Sequence, residues 1–78
     1  NNEKLEKLSD IYNVSIDYIL GKSNYTSVDN EEIGKITGLN NFAISTLKSL
    51  KNTYDFEHTM NILNFIMADI YLGLFLGI

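Results

Sequence analysis

The last third of the chain is apolar at nearly every helical position. Leu63, Ile66, Met67, Ile70, Tyr71, Leu74, Phe75 and Ile78 recur at steps of three and four, and Ile62, Phe65, Leu72 and Leu76 fill the opposite side. Three- and four-residue recurrence marks one face of a helix. When the far side is apolar too, the helix needs cover from several directions, in a core or between chains. A long helix is therefore predicted from near Asp55 onward. The pattern runs to the last residue and the first helix begins at once, so both ends are expected to be cut ends of a longer protein.

Upstream the pattern is sparser. Leu5, Leu8, Ile11 and Tyr12 predict a helix over residues 3–12 that stops at Asn13. Ser15 is suited to cap a short second helix with Ile16, Ile19 and Leu20 facing inward, and Gly21 stands where a left-handed closing residue is wanted. The polar run from Gly21 to Asn30 predicts a linker. Asp29 or Asn30 is expected to cap a third helix, with Glu31 and Glu32 at its positive end and Ile33, Ile36 and Leu39 making apolar contacts up to the Gly38 stop. Asn40 or Asn41 is expected to cap a fourth, running to about Asn52 with Ala43, Leu47, Leu50 and Tyr54 on one side. The fold class that follows is all-α, a small multi-helix domain of about five helices, truncated at both ends.

Composition narrows the class of activity. The chain has 78 residues, a net charge of −4 and no cysteine, proline or tryptophan, and all six of its cations are lysines. Such length allows one small, marginal core. Scattered lysines without arginine argue against nucleic-acid binding by this stretch alone, because phosphate neutralisation needs clustered cations and bidentate reading of guanine needs the guanidinium fork. The absence of cysteine fits a reducing, cytoplasmic setting. No apolar leader opens the sequence. Two N-x-S/T matches, at Asn13 and Asn24, carry little weight in a chain with ten asparagines.

The stretch LEKLSDIYNVSIDYILGKSN, residues 5–24, resembles the C-terminal end of a lambda-repressor-like (Xre-type) helix-turn-helix domain. The residues that carry the resemblance are Leu5, Leu8, Ile11, Tyr12, Val14, Ser15, Asp17, Tyr18, Ile19, Leu20 and Gly21. More faintly, ITGLNNFAISTLKSLKN and LNFIMAD are similar to the helical extensions that follow this domain in regulators of low-GC Gram-positive bacteria. The resemblance implies three segments. Residues 1–22 would be the last two helices of the DNA-binding domain without its recognition helix. Residues 23–30 would be a linker, and 31–78 a helical dimerisation or regulatory region. It further implies a homodimer that meets DNA only through an N-terminal part outside this chain, with phosphate contact at most from Asn1, Asn2 or Lys4. A second expectation is a protein-binding module for a toxin, antirepressor or protease. Leu47, Leu50, Leu63, Ile66, Met67, Ile70, Tyr71, Leu74 and Phe75 are the candidate residues, serving either intrachain core or a surface for a second copy.

Reaction chemistry finds little footing. His58 is the sole histidine, and DFEHT offers it only Asp55 and Glu57 nearby as co-ligands for a metal. Glu31 and Glu32 are adjacent and point apart on a helix, so they do not flank one substrate. No phosphate-binding glycine loop and no nucleophile elbow occurs. Neither enzymatic activity nor a cofactor is expected. Gly73 and Gly77 form a G-x-x-x-G, but Asn64 and Asp69 lie within the same apolar stretch, so close packing between two helices is favoured over a membrane span.

Overall fold

The computed structural model describes residues 2–77. They form five α-helices and, among the described residues, no strand: α1 (Asn2–Tyr12), α2 (Ile16–Ile19), α3 (Val28–Thr37), α4 (Asn41–Leu50) and α5 (Phe56–Phe75). The expected all-α class is the observed one. The chain divides into two compact units, Asn1–Leu47 and Lys48–Ile78.

In the first unit α1 packs on α2. The corner between them is made by Asn13, whose φ of 53° is left-handed, a region that asparagine enters more readily than most residues. Ser9 locks the corner twice: its carbonyl accepts from Val14 N–H at 3.1 Å, and its hydroxyl donates to Val14 O at 2.6 Å. Ser15 caps α2 as expected, with Oγ accepting from Tyr18 N–H at 3.1 Å. Gly21 follows with φ 74°. Of the three residues expected to face inward from α2, Ile16 and Ile19 are half-buried, whereas Leu20 is exposed.

The stretch expected to be a linker, residues 23–30, is tied down on both sides. Thr26 O accepts from Ser15 N–H at 2.8 Å, and Tyr25 Oη donates to Leu39 O at 3.2 Å. Its last three residues, Val28, Asp29 and Asn30, are already helix. Ser27, not Asp29 or Asn30, caps α3: its extended backbone aims Oγ at Asn30 N–H, 3.0 Å away. Asp29 falls instead in the first turn, where a carboxylate suits the helix dipole. Gly38 closes α3 in the left-handed region, with its N–H on Gly34 O at 2.8 Å. Asn40 caps α4 by accepting from Ala43 N–H at 2.9 Å. Ile36 does not make the contact expected of it and is 84% exposed.

The centre of this unit is mixed in character. Ile44 is 1% exposed and Asn30 2% exposed, and Gly34 is buried beneath the ring of Tyr25. Asn41 Oδ1 receives three donors: Thr26 N–H at 2.9 Å, Thr26 Oγ1 at 3.1 Å and Asn30 Nδ2 at 2.9 Å. Asn30 Nδ2 also reaches Ser45 Oγ at 3.2 Å. The amide orientations follow from chemistry. A backbone N–H only donates, so the Asn41 atom facing Thr26 is its oxygen, and the Asn30 atom facing that oxygen is nitrogen. Asn30 Oδ1 is left buried with no donor from the described residues.

A Cβ built on Gly34 would run into the Tyr25 ring. Alanine normally improves a helix by about 1 kcal/mol over glycine, but overpacking costs about 1–3 kcal/mol. Gly34→Ala is therefore expected to destabilise the chain, lowering the thermal midpoint by several degrees, with partial recovery when Tyr25→Leu is added. A raised midpoint in the single variant would contradict this packing.

In the second unit α4 runs out at Leu50 rather than Asn52, into tight turns in which Asn52 N–H meets Ser49 O and Thr53 N–H meets Leu50 O, both at 3.1 Å. Tyr54, expected on the inner side of α4, lies in these turns and is fully exposed. Asp55 occupies the N-cap position of α5 without a side-chain capping bond. Leu50, Phe56, Thr59, Met60 and Leu63 are half-buried; every described residue from Asn64 onward is exposed.

Candidate interaction surface

Two rows of side chains run along α5. The first row, Phe56, Met60, Leu63, Met67, Ile70 and Leu74, steps alternately by four and three, the spacing of a helix–helix seam. Its first three members are half-buried, and its last three are exposed. The second row, His58, Ile62, Phe65, Asp69, Leu72 and Leu76, has the same spacing, lies round the helix from the first and is exposed from end to end. Between the rows, Tyr71 and Phe75 set their rings 5.0 Å apart and tilted.

The amount of apolar surface is the notable quantity. From Ile62 to Leu76, ten large apolar residues are each 40–77% exposed, Phe65 the most at 77%. An aromatic side chain alone carries about 150–250 Å², so the ten together present on the order of 1,000 Å². The largest patch on an ordinary monomer is about 300–600 Å², and a standard interface uses about 800 Å² per partner. That area encircles the helix and is divided between its faces, so the helix offers more than one apolar side to a neighbour. It carries two polar points along the second row, His58 and Asp69.

The candidate residues named from sequence fall into two groups. Leu47, Leu50 and Leu63 are half-buried; Ile66, Met67, Ile70, Tyr71, Leu74 and Phe75 are exposed. None of the nine belongs to the fully buried core. Ile44 does, and it was not among them. The sequence offers Asn30 and Asn41 only as caps, whereas the structure has their side chains joined to each other and to Thr26 and Ser45. The signal was weak: an asparagine four residues before a glycine reads as surface until Tyr25 is known to lie over Gly34.

The glycine pair does not act as one helical face. Gly77 lies beyond the end of α5 with φ 69°, so only Gly73 is helical. Among the described residues no helix is long and apolar enough to cross a membrane, and none of their His, Cys, Asp and Glu side chains form a group of three able to hold a metal. Asn2 and Lys4 are exposed in the first turn of α1, and Asn1 lies outside the described residues. A shallow apolar hollow opens between α1 and α2, walled by Leu8, Tyr12, Val14, Tyr18 and Ile19. No protein-family model matches the chain, and neither a curated protein nor a solved structure does.

Proposed function

We propose that this chain is the packing and self-association part of a transcriptional regulator of the lambda-repressor-like (Xre) type, acting in the cytoplasm and meeting operator DNA through helices upstream of residue 1. The carrying observation is α5, which leaves ten large apolar side chains between Ile62 and Leu76 each 40–77% exposed within a single chain. Burial of such area is the dominant favourable term in association, and a second copy of the chain is always at hand. Reading two half-sites one helical turn apart requires two linked readers, and a pairing helix supplies the link by raising the effective concentration of the second reader.

The α1–α2 geometry supports the kinship. The stretch that resembles the family is helix, cap, short helix and left-handed glycine in the structure. The hollow it leaves between α1 and α2 suits helices preceding it in a larger domain. The test has two arms. Light scattering on the purified 8.9 kDa chain is expected to give twice the monomer mass at tens of micromolar. The whole chain, fused behind a monomeric helix-turn-helix domain, is expected to restore repression of a two-half-site operator. A monomer at every concentration, with no repression by the fusion, overturns self-association and leaves an outside protein as the occupant of α5.

A further inference from the structure

We infer that two copies of α5 pair antiparallel through the row His58, Ile62, Phe65 and Asp69, in the register that sets His58 of each chain beside Asp69 of the other. The inference rests on the self-association proposed above and adds face, direction and register to it.

The face follows from burial. The row that starts at Phe56 is half-covered over its first three members, whereas the His58 row is exposed along its whole length. Only the second row offers an uninterrupted seam for another helix. Its alternating four- and three-residue steps are what a helix–helix seam requires.

The direction follows from Asp69, the one acidic residue in that row. In a parallel two-fold pair, equal positions face each other, so two carboxylates would be brought together and stripped of water. Like charges at short range oppose ionisation of both, and burial without a partner compounds the penalty. An antiparallel pair separates them along the axis.

The register follows from what Asp69 then meets. Sliding one helix past the other in seven-residue steps keeps the seam intact, and two such positions are relevant. With full overlap, Asp69 of one copy faces Phe65 of the other and His58 faces Leu76, leaving the carboxylate against a ring. One step shorter, His58 faces Asp69 twice and Ile62 faces Phe65 twice. A carboxylate facing a ring N–H gains a charge-assisted hydrogen bond, and a single polar pair of this kind fixes register in helix pairs. In return the shorter overlap gives up contact at Leu76 and ends the seam at Asp69, since Leu72 then lies opposite Asp55, an exposed residue at the start of α5. Asp55 and Glu57 are the other ionisable groups near His58; Glu57 lies roughly 100° round the helix from it, at the edge of the seam.

The chain contains no cysteine, so introduced thiols report alone. Ile62→Cys, Phe65→Cys and Leu72→Cys chains, differentially isotope-labelled, are mixed in pairs and oxidised, and the disulfides are assigned by mass. The expected product joins position 62 of one chain to 65 of the other, about tenfold over every other pairing, since in this register these positions face each other directly. Like-with-like products mean a parallel pair, and a 62-to-72 product means full overlap; either overturns the inference while leaving self-association standing. A wild-type chain that stays monomeric overturns both.

A second measurement avoids the thiols. His58→Asp is expected to weaken association about tenfold, and adding Asp69→Lys to restore it to near the original strength, the pattern of a direct charge pair. Failure of the second change to restore association overturns the register.

Discussion

Asn41→Ala is expected to destabilise the first unit by about 3 kcal/mol or more, enough to leave it largely unfolded in mild urea. The side chain accepts from three donors on two segments, Thr26 N–H, Thr26 Oγ1 and Asn30 Nδ2. Alanine removes the acceptor and leaves all three donors behind. Each stranded buried donor costs about 1–3 kcal/mol, although Thr26 is half-buried and regains some water contact. Thr26→Val removes only one of the three donors and is expected to cost about 1 kcal/mol. Urea midpoints from circular dichroism, with amide exchange over residues 28–47, give the order. Equal midpoints for Asn41→Ala and wild type would mean the asparagine does not hold the unit together.

The second large effect concerns association. The double variant Phe65→Glu with Leu72→Glu is expected to be monomeric at concentrations where the wild type pairs, a loss of at least about 100-fold in affinity. Buried aromatic anchors contribute about 2 kcal/mol or more at interfaces, and in the inferred register the carboxylate introduced at position 65 would be set against Ile62 of the other copy, stripped of water with no partner. Both positions are exposed within a single chain, so the isolated fold should tolerate the change with a thermal midpoint close to wild type once the contribution of pairing is subtracted. Dimeric mass retained by the double variant would rule out this row as the interface.

The helices could be read from the chain because their signals are local. Asn13, Ser15, Gly21, Gly38 and Asn40 do at their own positions what residues of their type do at helix ends. The cap of α3 is not legible in the sequence because Ser27, Asp29 and Asn30 are all capping-type residues within four positions. Which of them wins depends on Ser27 being extended, and that conformation is set by Thr26 lying against Asn41 and Ser15. Tyr25 on Gly34, and the three donors converging on Asn41, are contacts between segments eight or more residues apart, and no periodicity encodes them. The apolar excess of α5 was plain from spacing. Its division into a partly covered row and an open one was not, since burial depends on contacts between segments that spacing along one helix does not encode.

The clasp of Thr26, Asn30, Asn41 and Ser45 is built wholly from amides and hydroxyls. None of these groups takes up or releases a proton between acid and neutral conditions, so the clasp adds no slope to folding free energy against acidity. It also carries no net charge for dissolved ions to shield. This clasp should therefore hold through swings of acidity and ionic strength that alter how strongly whole molecules attract one another.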